Sequence, residues 1–241
     1  MSRPESELLI LRAPRGAAAP GARIPVRWKP SAHARRVSLR VCPKAGEVVL
    51  TMPPHAGRRA GLALLREHEG WVRARLASLA PKRAFAAGAE VMLDGEAHVI
   101  RHDPAARGGA FLDGRSIVVA GGREFLGRRV ADFLRAEARR RMLALVGAHA
   151  ARLGVVPRAV RVKDTRSRWG SCAPDGTLGF SWRLVMAPRW VMDYVAAHEV
   201  AHLREMNHSA RFWSLVGQLT PHQDAAVAWL RAEGPALLRV G

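Results

Sequence analysis

The chain is poor in cysteine, in acidic residues and in long apolar runs, and each shortage narrows what it can be. Two cysteines, Cys42 and Cys172, stand far apart among 241 residues. They make neither a disulfide framework nor a CxxC metal knuckle, which suits a reducing compartment. No stretch approaches the roughly 18 consecutive apolar residues of a membrane-spanning helix, so no membrane partner is expected. The apolar run Leu8 to Leu11 is too short for the core of a secretory signal. The expectation is a soluble, cytoplasmic protein.

Asp and Glu number 20 against 39 Lys and Arg, a net charge of +19. A field of that sign attracts polyanions, so nucleic acid enters as a candidate partner. Lysine is itself scarce, with only Lys29, Lys44, Lys82 and Lys163, so the excess is almost all arginine. Arginine enrichment together with Ala and Gly is also what GC-rich coding sequence produces. Charge alone therefore argues association and not activity.

What is present reads as globular. Hydrophobic residues make up 49% and charged residues 24% of a chain long enough for one large domain or two small ones. Residues 1–23, rich in Pro, Gly, Ala and Arg without sustained periodicity, read as a flexible leader. Val37 to Val41 alternates as a strand, and Val48 to Met52 follows a turn at Lys44-Ala45-Gly46, which predicts a hairpin. Residues 58–79 carry Leu62, Leu65, Trp71, Val72, Leu76 and Leu79 at helical spacing, with a break near Gly70. Asp94-Gly95 and Asp113-Gly114 each sit between apolar runs, and Asp-Gly readily supplies the positive φ of hairpin turns. Residues 24–121 thus form a β-rich region with a helical insert, bounded by Gly121-Gly122.

Residues 122–241 change character. Phe125, Val130, Phe133, Leu134, Met142, Leu145 and Val146 space as the buried stripe of a long helix that Gly154 ends. Val160 and Val162 mark a short strand, and Pro174-Asp175-Gly176 is a third turn, between residues 167–172 and 177–182. Pro188 opens another helix at a position where its missing N–H costs nothing. No repeat of fixed period is visible.

That last helix carries His198-Glu199-Val200-Ala201-His202. Residues four apart share a helix face, so two imidazoles can reach one cation. The carboxylate between them is placed to take a proton from an attacking water. A catalytic zinc usually has three protein ligands, and His208 is the nearest further candidate. It lies too far along for the same helix face, so the helix must end before it, with Asn207 in a left-handed conformation as the terminator and Ser209 as cap of a new helix. The spacing equals that of the metzincin motif, but Glu205 stands where that motif has glycine. An ordinary histidine pair on a solvated helix face is the plainer alternative.

Arg168-Trp169-Gly170-Ser171-Cys172, Trp182-Arg183-Leu184, the helix motif with Leu203, and Asn207-His208-Ser209 with Phe212-Trp213 together resemble the YgjP-like metallopeptidase family, relatives of the SprT-like and WLM zinc peptidases. The resemblance implies an α+β fold: the β-rich N-terminal region, then a zincin-like domain with a long support helix, a small sheet and the active-site helix. It implies Zn2+ held by His198, His202 and His208, Glu199 as general base, and a protein or peptide substrate. Two alternatives stand beside this reading. One is a basic nucleic-acid-binding protein with a structural zinc; the other is a zinc hydrolase cleaving a different bond.

Other residues carry weaker signals. Arg166 or Arg168 could stabilise an oxyanion or make surface ion pairs. Trp169, Trp182 and Tyr194 read as core, Cys172 as an inert thiol, Glu205 as either an outer-shell orienting group or a surface carboxylate, and His222 as structural. His33, His55, His68, His98, His102 and His149 show no ligand spacing.

Overall fold

Alternation of apolar and polar residues builds the first half of the chain, as the sequence predicts, but it builds the same device twice. The computed structural model describes residues 6–10 and 23–241, and their contacts divide the chain into units Met1–Pro81 and Lys82–Gly241. In the first unit β1 (Ser6–Ile10), β2 (Arg23–Pro30), β3 (Ser38–Cys42) and β4 (Glu47–Met52) form a sheet of order β1-β2-β4-β3. The central pair β2 and β4 is parallel, and the outer pairs are antiparallel. Residues 6–10 of the expected leader are therefore a strand, paired to β2; residues 1–5 and 11–22 lie outside the described residues. Along β2, Ile24, Val26 and Trp28 point inward and meet Val48, Leu50 and Met52 of β4 in one core. Helices α1 (Arg58–Glu67) and α2 (Glu69–Ala77) add Leu65 and Val72, with the break at His68, just before the expected Gly70. A Cβ at Gly61 would meet the Trp28 ring at 2.5 Å, so the helix seats against that ring only through a glycine.

The second unit repeats the sheet with β5 (Glu90–Leu93), β6 (Glu96–Asp103), β7 (Ala110–Asp113) and β8 (Ser116–Ala120), in order β5-β6-β8-β7. Directions match as well: a parallel central pair between antiparallel outer pairs. Asp94 (φ 55°) and Gly95 (φ 83°) turn β5 into β6 with the two positive φ values of a type I′ hairpin. The likeness escapes a search for sequence period because strand pairing needs only alternating polarity, not repeated identities.

Helix α3 (Leu126–Leu153) follows and closes at Gly154 in the left-handed conformation (φ 60°), as expected. Its buried stripe advances by fours through Leu126, Val130, Leu134, Ala138, Met142, Val146 and Ala150. Phe133 and Leu145 flank this stripe, whereas Phe125 precedes the helix and is 42% exposed. A three-stranded sheet then forms from β9 (Ala159–Lys163), β10 (Gly170–Cys172) and β11 (Thr177–Ser181), in order β10-β11-β9, with the predicted Pro174-Asp175-Gly176 turn between β10 and β11. A 3-10 turn, Trp182–Met186, leads into α4 (Arg189–Ala201), and α5 (Ala210–Leu219), α6 (Gln223–Ala232) and α7 (Gly234–Leu237) complete the chain.

The described residues thus form a mixed α and β protein with three small sheets and seven α-helices. Val91, Leu93, Ile100, Ile117 and Val119 share one core with α3, α4 and α5. Gly121-Gly122 is consequently a connection inside the second unit, and the contact division falls after Pro81. Arg183 is 1% exposed, yet its guanidinium is satisfied by Asp164 and by the Val240 carbonyl at 3.0 and 3.2 Å, and it lies over the Trp182 ring. This member of the Trp-Arg-Leu segment is a structural clamp.

Candidate metal centre

Helix α4 runs through the middle of the core, which is why Val191, Met192, Val195, Ala196, Ala197, Val200 and Ala201 are all buried. His198 and His202 share one face of it, their rings 4.9 Å apart. His202 caps the helix in a right-handed helical conformation (φ −63°, ψ −18°). The chain then turns and re-enters a helix at Ala210, with Ser209 Oγ accepting the Phe212 N–H at 3.3 Å as the predicted cap. The helix end does not use a left-handed Asn207: Asp94 is the one non-glycine residue with positive φ among the described residues. Hydrogen bonds from Leu203, Arg204 and Glu205 N–H to the carbonyls of Val200 and Ala201 close the turn instead.

The turn returns His208 to the pair. Its Nε2 lies 3.2 Å from His198 Nε2, and the ligand atoms of His198, His202 and His208 all fall within 4.8 Å of one another. This is the one group of three or more His, Cys, Asp or Glu residues with that geometry among the described residues. His202 Nδ1–H donates to the Glu205 carbonyl at 3.0 Å, which leaves Nε2 with its lone pair toward the cluster. Glu205 thus orients a histidine through its backbone, while its carboxylate accepts the Asn207 N–H. His198 Nδ1 lies 3.5 Å from the Tyr194 hydroxyl. Tyr194 is core, as expected, and also touches the cluster.

Burial, then the neighbouring His202 and His208, hold His198 down to about 4, so its ring is neutral at physiological pH. Burial also lowers His202, against the Glu205 hydrogen bond. Neutral imidazoles crowded in this way are a donor set that fits a divalent metal. Phe212 stacks on His202 at 4.4 Å and Trp213 tilts over His208 at 5.6 Å, walling one side of the cluster.

Glu199 is 6% exposed. Burial raises its carboxyl to about 7, and the positive field of Arg168 opposes the rise. Its space is made by Gly170 of β10, where a Cβ would meet Glu199 Oε1 at 2.3 Å and Cγ at 2.6 Å. Sequence reasoning missed Gly170, because the contact joins residues far apart in the chain. Beside Glu199 and His198 opens a cleft of about 280 Å³ lined further by Arg168, Trp169, Gly170, Tyr194, Val227 and Leu230. Trp169 is therefore a wall of the cleft as well as core packing, whereas Trp182 is fully core. Arg168 lines this cleft and Arg166 does not. Cys172 stays outside the histidine cluster, and burial pushes its thiol up, in keeping with an inert residue.

Behind α4 a buried latch fixes the helix. His149 Nε2 of α3 donates to Asp193 Oδ1 at 2.8 Å, and Thr220 Oγ1, just after α5, donates to Asp193 Oδ2 at 2.6 Å. Arg152 adds a hydrogen bond to the Leu219 carbonyl at the end of α5. His98 and His102 bond backbone carbonyls, and His222 stands at the start of α6 near Trp190.

Clustered neutral histidines beside a buried carboxylate are the equipment of metal-dependent hydrolases. The family model described as YgjP-like, metallopeptidase domain, matches residues 35–233. The chain belongs to the YgjP-like metallopeptidase family, which makes it a metal-dependent peptidase by class, with protein or peptide substrates. Neither a curated protein nor a solved structure matches it. Among the described residues no helix is long and apolar enough to cross a membrane.

Proposed function

We propose that this chain is a zinc peptidase in which His198, His202 and His208 hold the ion and Glu199 is the general base. The observation that carries the reading is the convergence of three imidazole ligand atoms within 4.8 Å, next to a carboxylate that is buried but borders an open cleft. Three nitrogen donors match the usual catalytic zinc site, which keeps a fourth position for water or substrate. Zinc so held would polarise the scissile carbonyl and bring the pKa of a water to about 7.

The protein's own residues supply the rest. Glu199, buried but bordering the cleft beside His198, is placed both to accept a proton from the attacking water and to return it to the leaving amine. Gly170 and the burial of Glu199 confine that carboxylate to one place. Arg168 presents positive charge in the cleft, where negative charge develops on the carbonyl oxygen. Helix α3 as support, the β9–β11 sheet and α4 as ligand helix make the arrangement zincin-like in our reading.

Elemental analysis and peptide hydrolysis test this together. We expect one zinc per wild-type chain, most of it lost in His208→Ala. Glu199→Gln keeps the zinc and loses activity by about 10²- to 10⁴-fold. Full zinc in His208→Ala removes that ligand, and parental rates in Glu199→Gln remove the base.

A further inference from the structure

Away from the histidine cluster, the second unit carries a groove of about 500 Å³ between α3 and β9. Arg135 and Arg139 line it from the helix, Arg161 and Lys163 from the strand, and the other lining residues are alanine and valine. The secondary structure puts the charges there. Arg135 and Arg139 are one helical turn apart on the same face, and Arg161 and Lys163 share one face of the strand. Strand β9 is the end strand of its sheet.

Like charges at these spacings repel, so the protein's own stability does not call for them. Arg135 has an exposed partner in Asp132 at 2.9 Å. Arg139 and Lys163 have no carboxylate partner among the described residues, and Arg161 has only the longer-range attraction of Asp175, which Arg158 pairs at 2.9 Å. Asp164, next in the chain to Lys163, is taken by Arg183 and by the Trp182 N–H. The groove is thus a concave surface with four cations and no lining acid.

We propose that the α3/β9 groove binds the phosphate backbone of duplex nucleic acid. Arginine's planar fork suits phosphate oxygens, and three of the four cations are arginine. No aromatic residue lines the groove, and Trp182, under Arg135, is buried. A site without a stacking surface gains little from unpaired bases, so it favours the higher charge density of a duplex over a single strand. The apolar lining is three small residues, Ala136, Val160 and Val162, with no large side chain to insert into a lipid surface. This inference does not rest on the peptidase reading.

The test is fluorescence anisotropy of labelled duplex and single-stranded oligonucleotides with the full chain, over a range of salt concentrations. The groove variant is Arg139→Glu/Arg161→Glu/Lys163→Glu. Because the chain carries +19 overall, the comparison is an equal charge change elsewhere, Arg107→Glu/Arg115→Glu/Arg123→Glu. We expect duplex to bind more tightly than single strand and with little sequence preference. The groove variant should bind at least tenfold more weakly, with a salt slope shallower by about one per lost phosphate contact. The comparison variant should change far less. A neutral version, Arg139→Gln/Arg161→Gln/Lys163→Gln, should weaken binding in the same direction, which separates charge loss from misfolding. The inference is overturned by equal losses in the groove and comparison variants, by tighter binding of single strand, or by binding to anionic vesicles but not to duplex.

Discussion

Gly170→Ala puts the placement of Glu199 to a direct test. The added methyl would sit 2.3 Å from Oε1 and 2.6 Å from Cγ, and ordinary contact begins at 3.4 Å. The carboxylate must therefore retreat by about 1 Å, the scale of misplacement that costs an enzyme on the order of 10²-fold. In free energy that is roughly 2.7 kcal/mol of transition-state stabilisation. Stability should fall too, by about 1–3 kcal/mol for a crowded interior. The histidines are not displaced, so zinc content should stay at the parental level. The assay is kcat/KM on a quenched fluorescent peptide, with urea unfolding and metal content measured on the same preparations. Pairing the change with Glu199→Ala supplies a control, because that truncation removes Cγ, Cδ and Oε1 and leaves room for the methyl. Adding Gly170→Ala to Glu199→Ala should cost less than about 1 kcal/mol of stability. Parental activity in Gly170→Ala, with the protein folded, would refute both the contact and the claim that Glu199 needs that position.

Two further outcomes follow from neighbours of the cluster. Tyr194→Phe removes the hydroxyl near His198 Nδ1 and should weaken zinc binding about tenfold in chelator competition, with thermal stability little changed; unchanged affinity would make Tyr194 packing alone. Burial pushes the Asp193 carboxyl up, but hydrogen bonds from His149 and Thr220 and the charge of His149 and His222 outweigh it, so the net position is below the ordinary carboxylate value. A depressed carboxyl stabilises the fold above its unfolded pKa of about 3.9 and loses that contribution as pH falls through the lower folded value. Asp193→Asn should therefore be less stable than the parent near neutrality and converge with it below about pH 4, measured by urea unfolding across pH; a constant gap would remove Asp193 from the acid response.

What the sequence made legible was local. Asp94-Gly95, Gly154 and Ser209 each act within a few residues, and the structure has that hairpin turn, that helix end and that cap as read; it also brings His198, His202 and His208 within 4.8 Å of one another. Strand β2 was less visible, because Pro25 and Pro30 disguise the alternation of Ile24, Val26 and Trp28. Asn207 misled because residue preference names a means of ending a helix, whereas backbone hydrogen bonds to Val200 and Ala201 supply another. Gly170 beside Glu199, Trp169 in the cleft wall, and Asp193 between His149 and Thr220 were not legible at all. Each depends on tertiary approach that no window of sequence contains.

All three clustered histidines come from the single stretch 198–208, while the space for Glu199 is made by a strand from a distant part of the chain. Closing a short loop costs little entropy, so the ion-holding segment can assemble on its own early in folding. Alignment of the carboxylate waits for the β10–β11 hairpin to pack against α4, a contact between Gly170 and Glu199 made across a longer stretch of chain. Metal content and turnover therefore report on different depths of order. A damaged or partly folded chain could keep a full complement of ion and still be silent as a catalyst.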